Sequence, residues 1–414
     1  MRAETIFYII LWLFIFEFVL TNSIAYLNTL NWSDRLPKEA EGIYDKEKYS
    51  TSMKYERTKY SFSTLSWVFS FFILFFVLVF WGFLYLDWFV RQFSESDILL
   101  SLYFFGIIVF LQTLISLPFS YYSTFVIEEK FWFNKMTKKI FFTDFIKSLL
   151  LTALIWWLLL ALIVWVYSIS GNMFWIYTWI IITFFSVFMM MFYSSVIVPL
   201  FNKQTPLEKW KLRDEIEKFA LKVGFKLDNI FVIDGSKRSS KANAYFSGFG
   251  HKKRIVLYDT LIKDLTITEL VWVLAHDIGH YKRKHTLQML AFSTVQTWFM
   301  LFIFSIALKY DQVSQALWAE TGSFWVAAVA FGILFTPISI VLWLLWNVLS
   351  RRNEYQADEF AGQNYDAKKL QSALIKLSRN NLSNLTPHPL YEFFHYSHPT
   401  VLKRLEALGN ISKK

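Results

Sequence analysis

The sequence predicts a mainly α-helical protein with several membrane spans and a smaller α+β domain outside the bilayer. Hydrophobic residues make up 55% of the 414-residue chain and charged residues only 18%, below the roughly 25% that soluble proteins carry. The apolar residues fall in long blocks, and a helix needs about 20 of them to cross a bilayer. Residues 201–285 and 351–414 instead have the mixed composition of a soluble domain.

Seven apolar blocks are long enough to cross a bilayer, five within residues 1–200 and two within residues 286–350. We expect spans at residues 6–25, 64–86, 98–120, 148–169, 173–200, 286–308 and 323–349. The fourth and fifth spans are separated only by Ser170, Gly171 and Asn172. A connection this short should make them an antiparallel pair.

The basic residues alternate between the loops of this arrangement. Seven lysines and arginines lie in the loop between spans one and two, and five lie in the loop between spans three and four. The second loop holds only Arg91, the fourth holds no basic residue and the sixth holds only Lys309. Cytoplasmic loops are enriched in Lys and Arg. We therefore expect a lumenal or external N-terminus, and a cytoplasmic C-terminus and 201–285 segment, in a bacterial inner membrane or the endoplasmic reticulum.

The same arrangement accounts for the net charge of +10. A nucleic-acid-binding face would interleave basic and aromatic residues in a recognisable motif, and the sequence contains none. We therefore expect the lipid bilayer as a partner and no nucleic acid. The sequence leaves the oligomeric state open.

Residues 201–285 have the pattern of a small α+β unit. An amphipathic helix is expected near residues 207–223. Strand-like runs follow at residues 230–233, 244–249 and 254–258, separated by Gly235 and Gly250. Short β-branched and aromatic runs between turn residues are typical of strands and hairpins, so we predict a small antiparallel sheet here.

Two histidines four residues apart lie on the helix that should follow this sheet. Thr266 and Glu269 form a capping-box pattern at its start, and His276 and His280 then share one face. The chain has no cysteine, so a metal site must use His, Asp or Glu. The spacing is that of H-E-x-x-H, in which the Glu is the general base for zinc-bound water. Here Asp277 takes that place and is one methylene shorter.

A catalytic zinc usually has a third protein ligand. His285 follows His276 by nine residues, which would be the opposite face of a continuous helix. Glu354, just past the last span, is the better candidate, and Asp358 one turn on can accept a hydrogen bond from a ligating imidazole. We therefore predict a zinc site of His276, His280 and Glu354. The alternative is that both carboxylates lie on the helix surface and pair with the neighbouring arginines.

With these motifs the sequence resembles the type 1 CAAX prenyl endopeptidases, which are seven-span zinc metalloproteases of the gluzincin type. Besides the zinc helix, the segments that resemble the family are residues 353–358 (N-E-x-x-x-D), 236–248, and 395–400 with Arg404. The resemblance covers nearly the whole chain. It implies bound Zn²⁺ and seven helices around a large intramembrane chamber, with a gluzincin-type zinc protease domain at its cytoplasmic end. Glu17 and Asp87 either face that chamber or lie at helix interfaces.

The resemblance also implies roles for individual residues. Asn243 and Ala244 would belong to an edge strand that holds the substrate main chain, since an extended peptide can pair with an open sheet edge. His398 would donate a hydrogen bond to the oxyanion, where charge develops. Arg404 would brace the site. The alternatives are a turn residue at Asn243, a helix-start residue at His398 and a surface residue at Arg404.

Asp277 departs from the Glu of the family. It is a natural variant of altered activity, an engineered substitution or the mark of a pseudoenzyme, and the metal ligands are intact in all three cases. The leading hypothesis is a membrane-embedded zinc endopeptidase that cleaves near the C-terminus of a prenylated or membrane-associated peptide or protein. The alternatives are a zinc-binding homologue that holds peptides without turnover and a general quality-control protease for membrane proteins. A transporter is disfavoured, because the polar motifs lie in soluble segments rather than at broken helices in mid-membrane.

Overall fold

The computed structural model describes residues 1–225, 230–248, 253–365 and 367–411. Most of the described chain is helical. Its sixteen α-helices are α1 (Ala3–Leu30), α2 (Lys46–Val79), α3 (Gly82–Arg91), α4 (Asp97–Tyr122), α5 (Lys138–Ser170), α6 (Phe174–Phe192), α7 (Lys211–Lys222), α8 (Asp259–Asp264), α9 (Ile267–Lys282), α10 (His285–Ala307), α11 (Gln312–Gln315), α12 (Phe324–Leu334), α13 (Thr336–Asn364), α14 (Ala367–Asn380), α15 (Pro389–His395) and α16 (Val401–Ile411). Short π-helical segments, Ser123–Glu128 and Tyr193–Ile197, extend α4 and α6.

Long apolar helices form most of the first 200 residues. Within the described ranges, five helical stretches are long and apolar enough to cross a membrane, and a bent helix pair would make a sixth. They are Ala3–Leu30, Lys46–Val79, Asp97–Glu128, Lys138–Leu200 and His285–Ala307, with the pair Phe324–Leu334 and Thr336–Asn364. Large apolar side chains on these helices are exposed, among them Phe184 at 73%, and apolar surface of this kind marks membrane contact. The chain is a multi-pass membrane protein.

The fourth and fifth predicted spans both lie within the 63-residue stretch Lys138–Leu200. α5 ends at Ser170, and the next residue, Gly171, has a φ of 50° and a ψ of −122°, which fall in a region open mainly to glycine. α6 follows, and its Trp179 indole donates a hydrogen bond to the Thr294 carbonyl of α10 at 3.0 Å. Two antiparallel spans here, and therefore seven in all, remain a prediction.

The apolar block at residues 323–349, for which we predict one span, is not a continuous helix. The structure has two helices instead, α12 and α13, bent by 58° at a break between them. Pro337 explains the break, because it lacks an amide N–H and its ring clashes with the preceding turn. It lies in the first turn of α13, where proline is tolerated. α13 then continues to Asn364 and carries Glu354 beyond the apolar block.

The two acidic residues singled out within the apolar blocks have different surroundings. Asp87 is buried and accepts hydrogen bonds from Trp325 Nε1 at 2.7 Å and Arg91 Nε at 3.0 Å, so it lies at a helix interface. Glu17 lines a cavity of about 460 Å³ between α1, α10 and α13 and accepts a hydrogen bond from Thr336 Oγ1 at 3.4 Å. A large chamber enclosed by the helices remains a prediction.

In sequence, the strands of a four-stranded sheet lie between α6 and the later apolar helices α10, α12 and α13. Its strands are β1 (Gln204–Pro206), β2 (Ile230–Ile233), β3 (Ala244–Ser247) and β4 (Arg254–Tyr258), in the order β1–β2–β4–β3. The predicted antiparallel sheet is wrong for β2 and β4, which pair in parallel. β3 lies at the edge of the described sheet and runs antiparallel to β4. β4 therefore runs in the same direction as β2, its other neighbour.

The boundaries of this unit also differ from those predicted. β1, which the sequence pattern does not predict, pairs antiparallel with β2. α7 begins at Lys211 rather than at residue 207. Phe249, the last residue of the strand predicted at residues 244–249, and Gly250 lie outside the described residues. β3 itself therefore has four described residues, Ala244–Ser247.

An apolar core holds α9 between the sheet and the helices α7, α14 and α16. Its fully buried side chains include Leu212 on α7, Leu257 on β4 and Trp272 on α9. Burial of a large apolar side chain stabilises the fold by roughly 1.5–3 kcal/mol. Because this core fixes one face of α9, the face that carries His276 and His280 is directed towards α13.

Candidate metal centre

The start of α9 is fixed by the capping box that the sequence predicts. Thr266 Oγ1 accepts a hydrogen bond from the Glu269 amide, and the Glu269 carboxylate accepts one from the Thr266 amide at 2.8 Å. Glu269 also accepts hydrogen bonds from Ser372 and Lys376 on α14, at 2.6 and 2.8 Å. Burial opposes the charged carboxylate, but the bonds from Lys376, Ser372 and Thr266 prevail and lower its pKa to about 2. The first turn of α9 is therefore tied to α14.

Gly279 allows α9 and α13 to approach closely. A Cβ atom at Gly279 would lie 3.1 Å from the Ala357 carbonyl oxygen and 3.2 Å from its Cα, so any other residue would push the helices apart. Ala357 lies one turn beyond Glu354 on α13. This contact is not among the predictions from sequence, although a glycine between two histidines of an apolar helix is a signal for it.

The close approach brings the three predicted metal ligands together. His276 Nε2 lies 3.4 Å from Glu354 Oε2, and His280 Nε2 lies 3.3 Å from Glu354 Oε1. The two Nε2 atoms are 3.1 Å apart. One ligand atom from each residue lies within 4.8 Å of the other two, which is compact enough for a single ion.

The donor set of these residues fits Zn²⁺. Two imidazole nitrogens and a carboxylate are a common ligand set of catalytic zinc. Glu354 Oε2 is buried and accepts no hydrogen bond from the residues that the structure describes. Burial opposes a charge on His276, but the neighbouring carboxylates of Asp358 and Glu354 prevail and raise its pKa to about 9. The carboxylates thus make the site attractive to a cation.

Asp358 and Arg404 form the next layer behind His276. Asp358 Oδ1 lies 2.8 Å from His276 Nδ1, which leaves Nε2 free to face Glu354. Only 1% of the Asp358 side chain and 11% of the Arg404 side chain are exposed. The alternative in which Glu354 and Asp358 are surface carboxylates is therefore wrong, as is a surface position for Arg404.

The two predicted catalytic residues flank this cluster. His398 precedes α16, and its Nε2 lies 3.3 Å from Glu354 Oε1 while Nδ1 lies 2.9 Å from Ser397 Oγ. Asp277 is next to His276 on α9. Its Oδ2 is buried and accepts no hydrogen bond from the described residues, and burial raises the pKa of its carboxyl group. The catalytic roles of both residues stay predictions.

The strand that contains Ala244, β3, lies at an edge of the described sheet. Asn243 is exposed immediately before it, and its main-chain oxygen accepts a hydrogen bond from the Tyr258 amide at 3.1 Å. A cavity of about 680 Å³ runs between β3, α6 and Thr286 at the start of α10. An extended peptide could reach this edge, and substrate binding by Asn243 and Ala244 remains a prediction.

The predicted position of His285 is wrong. α9 ends at Lys282, and Lys284 adopts the left-handed conformation with φ 59° before α10 begins at His285. The chain turns back, so His285 Nδ1 lies 3.1 Å from His280 Nδ1 instead of on the far side of the helix. The predicted position holds only for a continuous helix. The run of basic residues 282–284 between two apolar helices was the available signal for a turn.

The chain is similar to known proteins over both its membrane helices and its metal centre. Residues 26–203 match the family model of the CAAX prenyl protease N-terminal region with five membrane helices, and residues 206–412 match that of peptidase family M48. The chain is 37% identical over 341 residues to CAAX prenyl protease 1 of Saccharomyces cerevisiae, covering 78% of this chain and 75% of that one. It is 34% identical over 424 residues to the human CAAX prenyl protease 1 homolog, covering 91% and 89%. The crystal structure of S. mikatae Ste24p is similar, with a TM-score of 0.92, 33% identity and 99% of each chain covered.

Proposed function

The chain belongs to peptidase family M48 as a membrane metalloprotease of the CAAX prenyl protease type, and from this membership we propose that it is a zinc endopeptidase that cleaves near the C-terminus of prenylated peptides or proteins. The observation that carries the proposal is the convergence of His276, His280 and Glu354 within 4.8 Å. Peptides and proteins are the substrates of such proteases. The similarity to CAAX prenyl proteases supports a prenylated substrate.

His276, His280 and Glu354 would hold the zinc through two Nε2 atoms and the carboxylate. When bound, Zn²⁺ supplies Lewis acidity, which polarises a carbonyl group and makes water a stronger acid. Asp358, which lies 2.8 Å from His276 Nδ1, holds this imidazole with its Nε2 lone pair directed towards Glu354. The protein thus presents three neighbouring donor atoms in a buried pocket.

Asp277 would act as the general base. Its Oδ2, which accepts no hydrogen bond from the described residues, takes a proton from the attacking water and later returns one to the departing amine. General-base catalysis contributes about 10²–10⁴-fold when the heavy atoms approach within about 2.6–3.2 Å. Because the Asp side chain is one methylene shorter than Glu, we propose that the activity is reduced rather than absent.

His398 and β3 would bind the substrate around this centre. His398 donates a hydrogen bond from Nε2 to the carbonyl oxygen as negative charge develops there. The substrate main chain pairs with the free edge of β3 near Asn243 and Ala244, as an added strand. The cavity of about 680 Å³ beside β3 leaves room for the substrate's side chains.

The membrane topology that we propose has seven spans, with α5 and α6 as separate crossings joined at Gly171. The alternation of basic loops supports a lumenal or external N-terminus and a cytoplasmic metal centre. Such an orientation exposes the site to newly prenylated cytoplasmic proteins. Broader processing of membrane proteins uses the same chemistry and differs only in the substrate.

A second candidate function, from another class, is a zinc-binding protein that holds peptides without hydrolysing them. Asp277 favours it, because a base that is too short could leave the peptide-binding edge and the metal ligands intact while hydrolysis stops. The two functions differ in turnover and not in zinc or peptide binding.

Cleavage of a farnesylated CAAX peptide by the purified full-length protein tests the proposal. We expect cleavage that a zinc chelator abolishes and added Zn²⁺ restores, and slower cleavage of the same peptide without its farnesyl group. Glu354→Gln should be inactive, whereas Glu359→Gln, which changes a half-exposed carboxylate on the same helix that pairs with Arg283, should be active. Equal cleavage with and without chelator would contradict the zinc mechanism, and equal cleavage of both peptides would contradict specificity for prenyl groups.

A further inference from the structure

The turn between α9 and α10 places a third histidine behind the metal centre. α9 ends at Lys282, Lys284 has a φ of 59° and α10 begins at His285. Only 3% of the His285 surface is exposed. A buried imidazole must satisfy both of its ring nitrogens, so the partners of His285 define its proton positions.

Both ring nitrogens of His285 have a partner. Nδ1 lies 3.1 Å from His280 Nδ1, and Nε2 lies 2.9 Å from Gln356 Oε1. Gln356 is on α13, two residues beyond Glu354, so it approaches His285 from the helix that carries the third ligand. His285 is therefore held between the two helices that form the metal centre.

The proton positions in the hydrogen-bonded series Gln356–His285–His280 follow from the acceptor at its end, Gln356 Oε1. A glutamine Oε1 atom can only accept a hydrogen bond, so the Nε2 of His285 must carry the proton. A neutral imidazole has one N–H, which leaves a lone pair on Nδ1 of His285. That lone pair accepts the proton of His280 Nδ1, and the Nε2 of His280 is left with its lone pair directed at Glu354, 3.3 Å away.

The reversed arrangement would prevent His280 from binding a metal. If the Nδ1 of His285 donated its proton, the Nδ1 of His280 would have to accept it. A neutral His280 would then carry its proton on Nε2, the atom that faces His276 and Glu354. The orientation of Gln356 thus selects between a ligating and a non-ligating form of His280.

We propose that His285, oriented by Gln356, is a positioning residue that fixes the tautomer and ring orientation of His280 for metal binding; this inference rests on the zinc site of the proposed function. The site then has two orienting acceptors of different kinds. His276 is oriented by a carboxylate, Asp358, at 2.8 Å, and His280 by a neutral imidazole at 3.1 Å. Removal of either acceptor should weaken zinc binding, because orienting partners of zinc ligands contribute about 10–100-fold in metal affinity.

Three variants of the full-length protein separate orientation from packing. His285→Phe keeps a ring of similar size and removes the acceptor. His285→Asn is smaller, but its Oδ1 is as many bonds from the backbone as Nδ1 of histidine and can accept the proton of His280. Gln356→Met keeps the length of the side chain at position 356 and removes the oxygen that accepts the proton of His285 Nε2.

The measurements are the dissociation constant for Zn²⁺, from competition with a chelator, and the absorption spectrum of the Co²⁺-substituted protein. We expect His285→Phe to weaken Zn²⁺ binding by about 10–100-fold and to alter the Co²⁺ spectrum, Gln356→Met to act in the same direction, and His285→Asn to bind nearly as tightly as wild type. Wild-type affinity in His285→Phe, or an equal loss in His285→Asn and His285→Phe, would overturn the inference.

These outcomes are distinguishable from failure of the proposed function. A wild-type protein that binds zinc and shows the expected order of variants, but hydrolyses no peptide, would contradict the protease function and support the role of His285. If the wild-type protein hydrolyses peptide and the His285→Phe variant has unchanged zinc affinity, the protease function is supported and the role of His285 is contradicted.

Discussion

Arg404 contacts both carboxylate oxygens of Asp358, with Nε 2.8 Å from Oδ2 and Nη2 2.7 Å from Oδ1. Asp358 Oδ1 also lies 2.8 Å from His276 Nδ1. The guanidinium on α16 therefore orients a carboxylate on α13, which orients a proposed metal ligand on α9. Three helices that are distant in sequence meet in this one chain of contacts.

Arg404→Lys should weaken zinc binding. Lysine keeps the charge but cannot form the two parallel bonds of a guanidinium, so Asp358 is left free to rotate away from His276. We expect a loss of about tenfold or more in zinc affinity, measured by chelator competition. Arg352→Lys, at an exposed position on α13, is the matched control and should bind zinc as wild type does.

Asp277→Glu should increase peptide hydrolysis without changing zinc content. The additional methylene extends the base towards the attacking water, and general-base catalysis is worth about 10²–10⁴-fold, so we expect a rise in kcat of about tenfold or more. Asp277→Asn should bind zinc and be inactive. If Asp277→Glu hydrolyses no faster than wild type, the length of the base is not what limits the site, and the peptide-holding function gains support.

Acid should remove the contribution of Glu269 to stability. Its folded pKa of about 2 lies below its ordinary value of 4.5, so its stabilisation is present above the unfolded pKa and lost as pH falls towards 2. The shift corresponds to at most about 3 kcal/mol. Glu269→Gln should therefore lower the thermal unfolding temperature at pH 7, and its difference from wild type should shrink between pH 5 and pH 3.

A difference between Glu269→Gln and wild type that is the same at both pH values would contradict this assignment. Glu208→Gln, which changes an exposed carboxylate of the soluble segment, is the control for general charge effects. It should leave the unfolding temperature at pH 7 close to that of wild type.

Lys241 ties the segment before β3 to the membrane helices. Its Nζ lies 2.8 Å from both Glu128 Oε2 and the Tyr55 hydroxyl, and Thr260 Oγ1 donates a hydrogen bond to its carbonyl at 3.1 Å. Removal of one partner leaves the other charge partly buried. Lys241→Met should therefore reduce thermal stability and raise the KM for peptide, because Asn243 lies only two residues further on.

A double-mutant cycle separates this contact from general damage. Lys241→Met and Glu128→Gln should together cost less than the sum of the two single changes, with a coupling energy in the range of about 0.5–3 kcal/mol that is typical of contacting residues. Strictly additive losses in unfolding free energy would show that the pair does not interact. Tyr55→Phe should also lower the free energy of unfolding, but by less than Lys241→Met does.

The parts of the site that could be predicted from sequence are those set by local spacing. His276 and His280 share a face because they are one helical turn apart, and the capping box of Thr266 and Glu269 fixes where that helix begins. The position of His285 could not be predicted in this way, because it depends on a turn at Lys284. The parallel pairing of β2 with β4 also depends on where β3 lies, which the strand pattern does not specify.

Helix packing accounts for the remaining differences. Gly279 lies between the two histidines, but its role in helix packing becomes visible only where Ala357 lies against it. The bend at Pro337 divides an apolar block that is long enough for one straight span. Burial of Arg404 likewise requires α16 to fold back on α13.

The zinc content of the purified full-length protein tests the central claim most directly. We expect about one zinc per chain after removal of loosely bound metal, and a strong reduction in the variants His276→Ala and Glu354→Ala. Glu359→Gln on the same helix should retain the wild-type content. A wild-type content far below one zinc per chain, or full occupancy in both ligand variants, would contradict a zinc site at His276, His280 and Glu354.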